Sequence, residues 1–188
     1  MAETIKHFGA WDAAVQFRFT TKFDGIGPLL PLPHNGRTRI RFSVNAQSAL
    51  SYEGGTAPVA ARLGAMRRAA LAGYPVGLTI APIMPSGDWR AGYSALLDSA
   101  AAALKDAPEL DLSVELITHR FTAGSKAVLN EWYPGSSLEM DEAARSRKLT
   151  KFGSEKFVYP AEAMSQLRKF FTQALELRLP AARVLYWT

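Results

Sequence analysis

Arg37-Thr-Arg-Ile-Arg-Phe-Ser-Val-Asn45 alternates strictly between two kinds of side chain. Thr38, Ile40, Phe42 and Val44 fall on one side, while Arg37, Arg39, Arg41, Ser43 and Asn45 fall on the other. A period of two, with β-branched and aromatic residues on one side, predicts a β-strand whose apolar face meets a core. The opposite face carries three guanidinium groups and ends in two small hydrogen-bonding residues. It faces either water or something anionic, and the pattern leaves both open.

Residues 14–22 repeat the theme upstream, with Val15, Phe17, Phe19 and Thr21 alternating with Gln16, Arg18, Thr20 and Lys22. Residues 24–36 are rich in Gly and Pro and predict a loop. Downstream, Pro58 opens a helix on which Val59, Leu63, Met66 and Ala70 form one apolar stripe, leaving Arg62, Arg67 and Arg68 outside it. Residues 75–83 are almost continuously apolar, the mark of a strand covered on both faces. Asp88 caps a second helix carrying Trp89, Tyr93, Leu96, Leu97 and Leu104, residues 111–118 form another strand, and a helix over 124–133 ends at Pro134. Two short strand-like runs around Gly153-Ser154, within 147–159, predict a hairpin. Pro160 then opens a long helix with Met164, Leu167, Phe171 and Ala174 on one face, and residues 183–188 form a last strand. Strands and helices alternating at this spacing predict right-handed crossovers and a mostly parallel sheet in a single α/β domain over 1–188.

Composition narrows the function classes. The chain has 188 residues, 48% of them hydrophobic, enough for one well-packed core. It lacks the long apolar run of a membrane span and the apolar core of a secretion signal, so a cytoplasmic location is expected. A formal net charge of +5 favours an anionic partner such as nucleic acid. There is no cysteine, which excludes disulfides, thiolate nucleophiles and thiolate-held metals from this chain.

Parallel α/β sheets bind ligands at the carboxyl ends of their strands. Those ends carry Lys22, then Ser43 and Asn45, then Ile80, Ala81 and Pro82, then Thr118, His119 and Arg120. Lys22, Arg39 and Arg41 pointing into a barrel need partners, so an anionic ligand inside a partly open barrel is expected. Bland readings stand beside this one: His119 as a structural histidine, and Lys151 and Lys156 as a solvated turn. No Gly-rich phosphate loop and no metal-ligand spacing is present, and His7, His34 and His119 are too dispersed to mark a site.

Taken in order, several stretches resemble the spore photoproduct lyase family. They are Phe19-Thr-Thr-Lys-Phe23, the run from His34 to Asn45, Gly55-Thr-Ala-Pro58, Ala72-Gly-Tyr-Pro-Val-Gly77, Ala81-Pro-Ile83, Glu115-Leu-Ile-Thr-His-Arg-Phe-Thr122 and Lys151-Phe-Gly-Ser-Glu-Lys-Phe-Val-Tyr159. That family consists of radical S-adenosylmethionine enzymes that reverse an ultraviolet-induced thymine dimer in DNA. The resemblance implies the C-terminal part of a partial (β/α) TIM-type barrel, with residues 14–134 as the barrel half, 147–159 as a DNA-contacting hairpin and 160–188 as a closing helix and strand. It implies an S-adenosylmethionine site at Lys22, Ser43, Asn45 and Ile80. Double-stranded DNA carrying the lesion would meet Lys151, Phe152, Lys156, His119 and Arg120. Close relatives carry Arg and Tyr where this chain has Lys151 and Phe152; Lys loses the forked bonding of Arg and Phe loses a hydroxyl, so weaker lesion affinity is expected.

Family members also carry, upstream of the matching region, three cysteines that hold a [4Fe-4S] cluster and another that supplies a hydrogen atom. This chain has none, so by resemblance it is the C-terminal portion of such an enzyme, catalytically silent alone, with no residue assigned to catalysis. Two alternatives remain: a standalone basic DNA-binding module, or one half of a split enzyme completed by a Cys-bearing partner. Self-association through the first strand is expected where no partner covers its edge.

Overall fold

The computed structural model describes residues 1–107, 109–149 and 153–188. Its elements run α1 (Ala2–Ala10), β1 (Phe17–Thr21), β2 (Thr38–Val44), α2 (Val59–Leu71), β3 (Val76–Ile83), α3 (Trp89–Leu104), β4 (Leu112–Thr118) and α4 (Ala123–Trp132). They continue with β5 (Ser146–Leu149), β6 (Glu155–Val158), α5 (Ala161–Arg178) and β7 (Arg183–Trp187). One five-stranded sheet has the order β1-β2-β3-β4-β7 with every neighbouring pair parallel. β5 and β6 form a separate antiparallel hairpin. The expected α/β class, a mostly parallel sheet followed by a hairpin, a long helix and a last strand, is what the chain adopts.

β2 occupies the position its alternation demands. Ile40, Phe42 and Val44 are fully buried and lie in register with Val76, Leu78 and Ile80 of β3, making continuous apolar rows across the sheet. Leu63 and Met66 of α2, Leu97 of α3 and Phe171 of α5 belong to the same core. Burying each such side chain contributes about 1.5–3 kcal/mol, so this face carries most of the packing energy. The helices start where the sequence marks them: Pro58 and Pro160 precede α2 and α5, and the Asp88 carboxylate accepts from the Ala91 amide at 3.2 Å.

The other face of the sheet corrects an expectation. Arg39 is 3% exposed and donates to the Val76 carbonyl at 2.7 Å and to the Asp111 carboxylate at 2.6 Å. Arg41 donates to Glu115 at 2.6 Å. The anions that these guanidinium groups need are supplied by β4 and its approach, not by a ligand, because a buried charge is tolerated only when paired. Gly77 makes the second pairing possible. A Cβ there would lie 2.6 Å from Arg41 Cγ and 3.0 Å from Ser113 Oγ, so only glycine lets the arginine stem cross β3 toward β4.

Three further differences matter. β1 is shorter than residues 14–22. The helix α1 has no counterpart in the sequence reading; its Phe8 ring stacks on Phe17 of β1 at 5.3 Å. Arg62, expected on the solvent side of α2, is 1% exposed. Among the described residues, no helix is long and apolar enough to cross a membrane.

Candidate functional site

The carboxyl ends of β1 to β4 enclose an open cleft of about 430 Å³, bordered by Lys22, Ser43, Thr79, Pro82, His119 and Arg120 among others. A larger groove of about 960 Å³ lies around Tyr52, Trp132 and Tyr133, but no charged side chain lines it. The strand-end cleft is the stronger candidate, because donors from four strands converge there.

Lys22 and Ser43 sit on adjacent strand ends, as the sequence places them. The Lys22 ammonium donates to Glu53 Oε1 at 2.9 Å, and its side chain stays 34% exposed. An ammonium has three hydrogens, so donors remain for a ligand. The Glu53 side chain is 3% exposed, and its second oxygen accepts from Arg62 Nη1 at 2.9 Å. Arg62 also donates to the carbonyls of Ser43 at 2.8 Å and Ala57 at 2.7 Å, and to Thr56 Oγ1 at 3.2 Å. The buried Glu53–Arg62 pair, tied to Lys22 on one side and to the Ser43 carbonyl on the other, thereby fixes the floor beneath both cleft residues. Neither Glu53 nor Arg62 stands out in sequence, since one lies in a glycine turn and the other reads as a surface helix charge.

Asn45 and Ile80 lie under the cleft rather than in it. Asn45 is 1% exposed; its amide donates to the Pro82 carbonyl at 2.7 Å, and its oxygen accepts from the Ala46 amide and from the Tyr93 hydroxyl. With every polar atom engaged, Asn45 supports the wall. Ile80 is fully buried. The register of β3 against β4 shifts between Ile80 and Ile83, so Ala81 and Pro82 leave the ladder and are the part of the expected Ile80-to-Pro82 ledge that lines the cleft.

His119 and Arg120 follow β4. Arg120 is exposed and borders the cleft. His119 is 9% exposed, and its backbone amide donates to Ile83 at 2.9 Å. His119 lines the cleft and also a smaller cavity of about 160 Å³ shared with Tyr52, Glu139 and Tyr159. Burial above all, and then the Arg145 charge, hold its pKa below the ordinary imidazole value, against an opposing pull from Glu139. Nothing in the local pattern around Arg145 marks it as a site residue.

The hairpin is rooted beside His119. The Phe121 and Phe157 backbones exchange hydrogen bonds of 3.2 and 2.7 Å, and their rings stack at 5.1 Å. With Met140 they form a small core of their own. On the strands, Lys148 pairs directly across from Lys156, and the Arg147 guanidinium lies 5.9 Å from the Phe157 ring. Lys151 and Phe152 lie outside the described residues. Among the described residues, no cluster of three or more His, Asp or Glu side chains is arranged to hold a metal ion.

An open parallel sheet with helices on its apolar face, a polar cleft at the strand ends and a basic hairpin beside it defines an α/β protein of partial-barrel type. The family model described as spore photoproduct lyase matches residues 1–188. The chain belongs to that family. It is 38% identical to the spore photoproduct lyase of Bacillus subtilis (strain 168) and 37% identical to that of Geobacillus sp. (strain Y412MC61), in each case over all of this chain and 55% of the relative. A solved spore photoproduct lyase variant with bound AdoMet and dinucleoside spore photoproduct superimposes with a TM-score of 0.94 at 37% identity, covering 100% of this chain and 55% of that one. A spore photoproduct lyase complexed with dinucleoside spore photoproduct gives the same TM-score of 0.94. The chain thus spans about half the length of the relatives it matches.

Proposed function

We propose that this chain supplies the strand-end cleft and the DNA-facing hairpin of a spore photoproduct lyase-type repair enzyme, which acts on a thymine dimer in DNA. The observation that carries the reading is the convergence of Lys22, Ser43 and the Ala81–Pro82 ledge in one cleft, in a fold whose solved relative holds AdoMet and the lesion. The donor set fits S-adenosylmethionine: the Lys22 ammonium suits its carboxylate, and the Ser43 hydroxyl suits its methionine end. The apolar ledge suits its adenine. Asn45 and Ile80 act one layer down, by holding that ledge in place. When bound and reduced by one electron, S-adenosylmethionine supplies the hydrogen-abstracting chemistry of the radical class. With no cysteine in the chain, the residues present do not fit an iron–sulfur cluster, whose irons thiolates hold. The chain alone is accordingly proposed to bind rather than to turn over. The outer edge of β1 has no strand partner among the described residues. It offers its backbone groups to a Cys-bearing segment or to a second copy.

Titration calorimetry of the chain with AdoMet, and separately with dinucleoside spore photoproduct, tests the reading. The Ser43 hydroxyl has no hydrogen-bond partner among the described residues, so Ser43→Ala leaves the fold intact while weakening AdoMet binding by about 1 kcal/mol, the scale of one hydrogen bond. Absence of binding by both ligands at millimolar concentration would refute it.

One observation favours a second reading, a basic DNA-binding module without a working cleft. Like charges directly opposite on a two-stranded ribbon, as Lys148 and Lys156 are, destabilise it unless an anion lies between them. DNA binding that is indifferent to AdoMet and to the lesion would support that module.

A further inference from the structure

The ring of His119 is held by a group that can only donate. Arg145 Nη2 lies 3.3 Å from His119 Nδ1. A guanidinium in a protein is always protonated and has no acceptor, so Nδ1 must present a lone pair. The neutral ring therefore carries its proton on Nε2.

Arg145 has little freedom to do otherwise. It is 8% exposed, and its Nη1 donates to the His119 carbonyl at 3.0 Å. Its Nε donates to Glu139 Oε2 at 3.0 Å, its Nη2 donates to the same oxygen, and its plane lies 3.7 Å from the centre of the Tyr159 ring. One residue thus grips both the backbone and the ring of His119, while the Glu139 carboxylate neutralises it. On the far side of the ring, Nε2 has no hydrogen-bond partner among the described residues, yet it is not among the sealed, unpartnered polar atoms. A donor without a partner at the border of a ligand cleft is what a binding site keeps in reserve.

We propose that Arg145 is a positioning residue that fixes His119 as its neutral Nε2–H tautomer, so that the cleft presents a donor to an uncharged acceptor oxygen, such as a pyrimidine carbonyl of the lesion. This rests on the reading of the cleft as a lesion and S-adenosylmethionine site. A neutral imidazole discriminates for carbonyls where an imidazolium would favour phosphates. Among the described residues, the charged and titratable groups that act on the ring or share its cavities are Arg145, Glu139, Tyr159, Tyr52, Lys22 and Arg120.

The test joins nitrogen-15 NMR of the His119 ring with binding of dinucleoside spore photoproduct. In the unaltered chain, Nδ1 is expected to be pyridine-like and Nε2 pyrrole-like at neutral pH, with no ligand present. Arg145→Met should mix the tautomers, raise the His119 pKa toward its ordinary value and weaken dinucleoside binding about fivefold, the scale of one neutral hydrogen bond. AdoMet binding and the amide spectrum of the sheet should be unchanged. His119→Gln, which keeps a side-chain N–H, should retain binding that His119→Ala loses. A proton on Nδ1 in the free chain, or equal dinucleoside affinity in Arg145→Met, overturns the positioning role. Failure of the unaltered chain to bind either ligand would instead overturn the cleft reading, and the ligand half of this inference with it.

Discussion

Arg62→Met removes the charge at the centre of the Lys22–Glu53–Arg62 array while keeping most of the side-chain volume. The lost contacts are the Glu53 ion pair at 2.9 Å, two carbonyl bonds at 2.7 and 2.8 Å and the Thr56 bond at 3.2 Å. Bonds from a charged donor contribute roughly 1.5–3 kcal/mol each at most, and neutral ones about 1. Rupture of a buried pair, which strands the remaining charge, costs about 3–5 kcal/mol. Glu53 keeps Lys22 as a counter-ion, and the methionine recovers some apolar contact, so a net loss of about 3 kcal/mol is expected. That is a large share of the ~5–15 kcal/mol by which a domain is stable. Urea unfolding followed by tryptophan fluorescence measures it as a drop in midpoint at constant slope. The pair Arg62→Met with Glu53→Gln should recover about 1–2 kcal/mol of that loss, because the buried carboxylate that Lys22 only partly compensates is then gone. A loss below about 1 kcal/mol for Arg62→Met, or no recovery in the pair, would show that the array does not anchor the cleft floor.

Other outcomes follow from the same geometry. Burial alone would raise the Asp111 pKa, but the bonds and charges of Arg39 and Arg183 outweigh it and hold it below the ordinary carboxylate value. Its contribution to stability is then full above about pH 4 and lost as pH falls through the depressed value, so Asp111→Asn should flatten the acid limb of a stability–pH curve. His119 has the same sign: with its pKa depressed, stability should decline as pH drops below about 6.5 and level off once the folded-state value is passed, and His119→Gln should remove that step. Gly77→Ala should cost about 1–3 kcal/mol in thermal or urea unfolding, because the new Cβ forces the Arg41 stem off Glu115. On the hairpin, Lys156→Ala should weaken binding to all DNA and shallow its salt dependence by roughly one phosphate contact. By the sequence reading, Phe152→Ala should weaken binding to lesion-bearing DNA more than to intact duplex, by about 1 kcal/mol in a fluorescence titration.

The sheet was legible because β2 declares itself twice, through its alternation and through the proline and glycine punctuation around it. Pro58, Asp88 and Pro160 marked three helix starts for local steric and hydrogen-bonding reasons. What stayed hidden depended on partners distant in sequence. Arg62 looked like a surface charge because no local pattern links it to Glu53 across the glycine turn, and burial follows from that pairing. Arg39 and Arg41 looked ligand-seeking until the β2–β3–β4 register brought Asp111 and Glu115 within reach. The ledge was legible as the run Ile80 to Pro82, but which of its residues line the cleft was not, because a register shift breaks the period of two there. Arg145 sits in a charged stretch with no pattern of its own, and its contacts with His119, Glu139 and Tyr159 take it out of water. The α1 helix is short, and its packing on Phe17 outweighs a weak local signal.

The bridge between Phe121 and Phe157 sets a rule for how this chain tolerates changes in length. His119 borders the cleft, and Phe121 two residues later anchors the hairpin, so the two are at most about 7 Å apart along the backbone. One residue inserted between them would turn Phe121 to the opposite side and unseat both Phe157 and the small core around it. Residues added at the far end of the hairpin would leave that root, and the cleft beside it, where they are. Insertions should therefore be rejected at the root and accepted along the hairpin away from the Phe121–Phe157 bridge.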